Sequence, residues 1–106
     1  MLLSAHIDFD RVLSNKPVSK DKNFVAYIAE NNTNTCRLGI SIPKSKIKKA
    51  TTRNKLKRAI RHQFLGLKKE RIDIVMVYRG TACKYDAKLI FESLRFHKDN
   101  ILKLRT

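Results

Sequence analysis

The 106-residue chain lacks several features that would place it in other protein classes. It has no tryptophan, no apolar run of membrane-spanning length, and only nine acidic residues against 24 lysines and arginines. Its start, MLLSAHIDFD, has neither the basic region nor the long apolar run of a signal peptide. Cys36 and Cys83 are far apart and have no nearby His pair, so no metal motif is present. These absences predict one soluble, intracellular domain with reduced, buried thiols.

The excess of positive charge is the strongest functional indication. A net charge of +15 repels itself in the folded state, and a polyanionic partner would offset that repulsion. Nucleic acid is the leading candidate, with an anionic membrane surface or a purely solubilising charge as alternatives. The apolar fraction of 42% is spread along the chain and indicates a globular domain rather than a disordered one.

Hydrophobic periodicity predicts six elements in the order helix, strand, strand, helix, strand, helix. Asn-rich residues 31–35 between the first two strands predict a turn, and so a hairpin. Together the elements predict an α+β fold, a small two-layer sandwich with helices packed on a mixed sheet. The predicted helices are residues 8–15, a helix from an N-cap at Thr51 or Thr52 to about Gly66, and residues 86–102. The predicted strands are residues 23–30, 36–43 and 72–78, and residues 14–22 and 79–85 are predicted loops.

Alternating and helical patterns also predict which side chains are buried. The first strand presents Phe24, Ala26 and Ile28 on one face, and Val25, Tyr27 and Ala29 on the other. The second strand directs Leu38, Ile40 and Ile42 to one side. The two long helices have apolar stripes with helical spacing, formed by Leu56, Ile60, Phe64 and Leu67 and by Ile90, Leu94, His97 and Ile101.

The segment KSKIKKATTRNKLKRAIR, residues 44–61, contains nine lysines or arginines in eighteen positions and no acid. No Asp or Glu occurs between positions 44 and 69, so ion pairs within the helix cannot neutralise these cations. On a helix of 100° per residue they cover most of the surface opposite the apolar stripe. Arg53 is the exception, because it falls within the arc of the stripe but in the first turn, where it can swing clear of the core.

Solvated helix faces usually mix charges of both signs. A face of one sign loses about 0.2–0.5 kcal/mol for each like-charged pair one turn apart. A phosphate partner would return that loss, so the pattern favours a nucleic-acid surface over a merely solvated one. Neutral Asn54 fits this interpretation, since its amide both donates and accepts and can contact a sugar hydroxyl or a base edge.

The segment RLGISIPKSKIKKATTRNKLKRAIRHQF, residues 37–64, resembles the characteristic region of the bacterial ribonuclease P protein component. That family has an R-L-G-type strand, a basic segment and an A-x-x-R-N-R-x-K-R-x-x-R helix, and DFDRVL, NFVAYIAE and RIDIVMVYRGTA resemble its other elements. The resemblance covers nearly the whole chain, residues 1–106, as a single domain. Two departures are Lys55, where the motif usually has Arg, and Leu13, where an aromatic residue is common. The motif here is formed by Ala50, Arg53, Asn54, Lys55, Lys57, Arg58 and Arg61.

The resemblance implies a function and a topology. The family's enzyme is an endoribonuclease that removes the 5′ leader from precursor tRNA, with catalysis and Mg²⁺ residing in its RNA subunit. The implied partners are ribonuclease P RNA and precursor tRNA, in the cytoplasm, with no membrane and no obligate protein partner. The implied fold has a left-handed strand–helix–strand crossover, as in the second domain of ribosomal protein S5. The expected RNA-binding residues are Lys44, Lys46, Lys49, Arg53, Asn54, Lys55, Lys57, Arg58 and Arg61, and the expected leader-binding residues are Phe9, Leu13 and Tyr27.

Other functions remain as alternatives. A general RNA-binding or ribosomal protein without a processing role would have the same charge. A DNA-binding helix-turn-helix is disfavoured because a strand, not a helix, precedes the basic helix. A nuclease whose protein cuts RNA needs paired histidines or clustered carboxylates, whereas His6, His62 and His97 are scattered. No catalytic residue and no protein-bound metal are therefore expected.

Overall fold

The computed structural model describes residues 7–31, 36–67, 70–80 and 86–105. Cys83, His6, most of the predicted turn at 31–35 and most of the predicted loop at 79–85 lie outside these ranges. The elements are α1 (Phe9–Leu13), β1 (Ser19–Lys20), β2 (Phe24–Glu30), β3 (Arg37–Ser41), α2 (Ala50–Phe64), a short 3-10 turn (Leu65–Leu67), β4 (Ile72–Tyr78) and α3 (Ala87–Arg105).

Carboxylate caps define the starts of two helices. The Asp8 side chain accepts a hydrogen bond from the Arg11 backbone N–H at 3.2 Å and begins α1. Asp86 does the same for α3, accepting from the backbone N–H groups of Lys88 and Leu89. The predicted threonine cap of α2 is wrong: the N-cap is Lys49, whose side chain makes no capping hydrogen bond. The N-terminus of α2 therefore carries the partial positive charge of the helix dipole next to its lysines, and no acid in the first turn offsets it.

The four strands form one mixed sheet in the order β1-β2-β4-β3. β4 lies between β2 and β3, pairing antiparallel with the first and parallel with the second. The hairpin predicted for the strands at 23–30 and 36–43, which are β2 and β3, is therefore wrong, because β4 lies between them in the sheet. Residues 14–22, predicted to be loop, contain the two-residue edge strand β1, which pairs with β2. β3, α2 and β4 form the parallel strand–helix–strand connection that the resemblance implies.

The larger core lies between one face of the sheet and the helices α2 and α3. Both predicted helix stripes are buried there in full, and β2 and β3 contribute the predicted faces. A smaller cluster forms on the opposite face of the sheet, under α1, from Ile7, Val12, Ala29 and Val75, with Phe9, Tyr27 and Val77 packed against it. Because α1 has only five residues, it covers only part of that second face.

Candidate nucleic-acid interface

The basic segment begins as a turn directly after β3. The backbone N–H groups of Lys46 and Ile47 both donate to the Pro43 carbonyl, at 3.0 and 3.3 Å. This turn places three of the expected RNA-binding side chains in solvent, before the chain enters α2. They are Lys44, Lys46 and Lys49.

Arg53 holds this turn against α2. Its Nη1 donates to the carbonyl oxygens of Ile47 at 3.0 Å and Lys48 at 2.9 Å, and the side chain is half-buried. Arg53 has thus swung away from the apolar core, as its position in the first turn allows. Its guanidinium fixes the lysine-bearing turn relative to the helix, a contact that sequence reasoning missed.

The remaining motif residues of α2 face solvent. Asn54, Lys55, Arg58 and Arg61 are exposed, and Lys57 is half-buried. Within the described residues, no carboxylate lies within 4.0 Å of any lysine or arginine nitrogen of this segment. Lys55 and Arg58 also line a shallow, open depression on the helix, together with Ala59 and His62. The surface is therefore cationic without internal counterions and is available to phosphate groups.

The second candidate surface is the sheet face beneath α1. Strand register places its side chains in three rows, each running across β2, β4 and β3, since directly paired residues project to the same side. Successive rows lie two residues apart along each strand. The rows are Ala29–Asp73–Arg37, then Tyr27–Val75–Gly39, then Val25–Val77–Ser41.

Phe9 and Tyr27, both expected in the leader site, lie together in the small cluster under α1. The Phe9 ring is packed so closely on β3 that a Cβ at Gly39 would approach its Cζ to 2.7 Å. Only glycine permits this contact, so the R-L-G strand and α1 fit one another. Leu13, at the end of α1, is 38% exposed, and Phe9 and Tyr27 are half-buried. The three residues thus lie on one side of the sheet.

The third row of this face extends the surface beyond α1. Val25, Val77 and Ser41 are half-buried, and Lys20, which pairs with Val25 from β1, is exposed at its edge. Val25 and Val77 therefore offer partly exposed apolar area on this face, with the Ser41 hydroxyl beside them and the Lys20 cation at the edge. These residues were not predicted as a surface, because the sheet order that brings them together differs from the predicted one.

Asp73 is the most constrained charged residue in the described chain. Its side chain is fully buried, and Arg37 binds it through two hydrogen bonds of 2.7 Å. Arg11 Nη2 also contacts Asp73 Oδ2, and Asn31 Nδ2 donates to Oδ1 at 2.8 Å. Burial alone raises the pKa of Asp73, but the hydrogen bonds from Arg37 and Asn31 and the charges of both arginines outweigh it, so the pKa is lowered. The cluster was not predicted, because the strand was interpreted as apolar on both faces. An acid within a buried strand is unusual, and it was the one indication of a buried ion pair that the sequence offered.

A second buried polar group joins α3 to the strands. His97 Nδ1 lies 2.6 Å from Ser19 Oγ, and its Nε2 lies 3.1 Å from Asp21 Oδ1. Ser93 donates to Asp21 at 2.6 Å, and Asn100 donates to Ser19 at 2.9 Å. Burial lowers the pKa of His97, and Asp21 opposes this effect. Although the order Ser–His–Asp is that of a hydrolase triad, the serine and histidine are buried, so the group anchors α3 rather than meeting a substrate.

Among the described residues, no group of three or more His, Cys, Asp or Glu side chains could hold a metal ion. Asp73 offers no free ligand set, since both of its oxygens are engaged by arginines. No helix in the described part is long and apolar enough to cross a membrane. Cys36 is buried. Its burial and the negative charges of Asp73 and Glu70 raise the pKa of its thiol to about 12.

Comparisons with known proteins agree along nearly the whole chain. The family described as Ribonuclease P matches residues 1–101. A ribonuclease P protein component from Macrococcus caseolyticus is 36% identical over 90 residues, which are 82% of this chain and 77% of the relative. One from Lactococcus lactis subsp. cremoris is 32% identical over 99 residues, or 92% of this chain and 80% of the relative.

Solved structures show the same fold. The RNase P protein of Staphylococcus aureus superposes with a TM-score of 0.75 at 30% identity, covering 98% of this chain and 94% of that one. The RNase P protein from Thermotoga maritima gives a TM-score of 0.72 at 29% identity, covering 93% and 96%. The mixed sheet with its packed helices is therefore the architecture of these proteins.

The fold shared with these structures and the exposed basic helix place the chain among RNA-binding proteins. The chain belongs to the ribonuclease P protein family. Proteins of this family bind RNA and take part in precursor-tRNA processing. The chain is accordingly a protein component of the ribonuclease P holoenzyme, and its RNA partner is ribonuclease P RNA.

Proposed function

We propose that the basic turn and α2 dock on ribonuclease P RNA. The observation behind this proposal is that exposed cations between positions 44 and 61 have no carboxylate partner in the described residues. Each phosphate that they neutralise releases counterions, which drives binding. Asn54, between cations, would read a sugar or base edge. The proposed contacts are Lys44, Lys46, Lys49, Arg53, Asn54, Lys55, Lys57, Arg58 and Arg61.

The single-stranded 5′ leader of precursor tRNA binds, in this proposal, to the sheet face beside α1. Tyr27, Phe9 and Leu13 supply apolar contacts, and Tyr27 offers a ring on which a base can stack for about 1–3 kcal/mol. Support comes from the half-buried third row next to Tyr27, with Lys20 at its edge. Leu13 provides contact area without a stacking face, so charge has a larger share in leader binding.

Magnesium, in this proposal, is held by the RNA subunit, where it supplies the hydrolytic chemistry. The described protein residues do not fit a magnesium site, since no carboxylate cluster is present among them and Asp73 is saturated by arginine. What the chain contributes is binding and orientation of RNA. Its proposed location is the cytoplasm, where precursor tRNA is processed.

Reconstitution tests the proposed function directly. The full-length chain, added to a bacterial ribonuclease P RNA at low magnesium, is expected to restore cleavage of precursor tRNA at the mature 5′ end. The matched control is a chain with Lys55, Arg58 and Arg61 changed to alanine, which should bind the RNA poorly and stimulate little. RNA binding without any stimulation would instead support a general RNA-binding protein.

Replacing Tyr27 tests the leader site. Tyr27→Ala should weaken binding of precursor tRNA to the holoenzyme by about 1–3 kcal/mol and leave mature tRNA unaffected. Tyr27→Phe keeps the ring and should retain most of the affinity. Equal losses for precursor and mature tRNA would exclude Tyr27 from the leader site.

A further inference from the structure

Asp73 joins three parts of the sheet face on which the leader is proposed to bind. Its carboxylate accepts from Arg37 in β3, from Asn31 at the end of β2 and from Arg11 in α1. It lies in the first row of the face, beside Ala29, and two residues along β4 from the row that includes Tyr27. A fully buried acid is costly unless it is paired, so the cluster is set when the protein folds.

Arg11 is the link that fastens α1 to this cluster. Besides contacting Asp73, its Nη1 donates to the Glu30 carbonyl at 3.0 Å, so one side chain bridges β2 and β4. A helix of five residues is too short to be stable by itself in water, and its position depends on tertiary contacts. Val12, Phe9 and the bond from Asn15 Nδ2 to the Ile28 carbonyl at 2.8 Å supply the others.

We infer that Asp73 and Arg11 are positioning residues for the leader, acting through α1. Their ion pair sets α1 over the first two rows, which places Phe9 on Gly39 and leaves the third row only half-buried. The conformational entropy of ordering α1 on this sheet face is then lost during folding instead of on RNA binding. This raises the affinity for the single-stranded leader. The inference rests on the proposed leader site and goes beyond it, because neither residue needs to touch RNA.

The test is Arg11→Gln in the full-length chain, assembled with ribonuclease P RNA. We expect affinity for precursor tRNA to fall about tenfold, or ~1.4 kcal/mol, while affinity for mature tRNA is unchanged. KM for precursor should rise with kcat little altered. Lys16→Gln is the matched control, because it removes the same charge just beyond α1 from an exposed side chain. If Arg11→Gln lowers precursor affinity no more than Lys16→Gln does, the inference is wrong.

Hydrogen exchange separates positioning from direct contact. In free protein, Arg11→Gln should speed exchange of the Val12 and Ser14 amides, which bond to backbone carbonyls in and before α1. Lost precursor affinity with unchanged exchange would mean that Arg11 contacts RNA itself, which overturns the inference. Asp73→Asn, if it folds, should reproduce both effects. If the wild-type holoenzyme binds precursor and mature tRNA equally well, both the leader site and this inference are wrong. If the wild type prefers precursor and Arg11→Gln keeps that preference, only this inference is wrong.

Discussion

Two sets of cations in this molecule have the same chemistry and opposite surroundings. Arg11, Arg37 and Arg53, the paired arginines, are bound to Asp73 or to backbone carbonyls. Arg58 and Arg61, the open arginines, are exposed and have no carboxylate partner among the described residues. The difference shows that residue type does not decide whether an arginine serves the fold or the ligand. An acceptor within reach decides it.

The largest effect on stability is expected when the paired arginines lose their carboxylate acceptor. Asp73→Ala leaves Arg37 and Arg11, which are partly exposed, without their shared carboxylate, and losing its charged hydrogen bonds should cost about 1.5–3 kcal/mol. Urea unfolding followed by circular dichroism should show that loss in the free energy of unfolding. A decrease below about 1 kcal/mol, the range of a surface ion pair, would contradict the role given to Asp73.

Acid should next weaken the contacts made by the carboxylates of Asp73 and Asp21. Asp73 and Asp21 both have a pKa lowered from 3.8, so their contribution to stability is complete above that value and is lost as pH falls through the lower folded pKa. Stability of the wild type should therefore fall on acidification below about pH 4, and Asp73→Asn should fall less steeply. Unfolding midpoints measured across that range check this expectation. Parallel curves for the two proteins would show that Asp73 does not contribute to the acid dependence.

Arg53 sharpens the comparison, because it belongs to the RNA-binding motif and yet is paired. Arg53→Ala loses two hydrogen bonds to the carbonyls of Ile47 and Lys48, worth about 1–2 kcal/mol together. Arg53→Lys keeps the charge and should recover RNA binding more than stability. If Arg53→Ala is as stable as the wild type, the hydrogen bonds from Nη1 do not hold the turn.

The open arginines should show the smallest effect on stability. Arg58→Ala and Arg61→Ala should each change the free energy of unfolding by less than about 0.5 kcal/mol, as expected for surface positions. Each should also reduce the slope of log affinity against log salt by about 0.7–0.9, the value of one phosphate contact. Filter binding to ribonuclease P RNA at several salt concentrations measures this slope. Lys88→Ala, an exposed cation on α3, is the control and should leave the slope unchanged.

Local patterns were sufficient for most elements. The apolar stripes of α2 and α3 repeat at helical spacing, and both are buried, including His97, whose partners Ser19 and Asp21 could not be known in advance. β4 occupies the predicted range because apolar, mostly strand-forming residues fill six of its seven positions, all but that of Asp73. The resemblance supplied the family and the expected site residues, since the spacing of Arg53, Asn54 and Lys57 is specific.

Long-range pairing was beyond the reach of the sequence. The hairpin prediction assumed that consecutive strands pair, whereas β4 enters between β2 and β3 and sets both registers. The third row of the sheet face depends on that order and was missed with it. Asp73 was missed for a related reason, because its partners Arg11 and Arg37 are 62 and 36 residues away.

The central position of β4 determines when the sheet can assemble during synthesis. Until residues 72–78 leave the ribosome, β3 has no partner in the sheet and β2 has only the two residues of β1. The strongly cationic segment 44–61 is therefore synthesised before the native sheet can form. Completion of the fold is therefore a late event, because the central strand is the last strand of the sheet to be made.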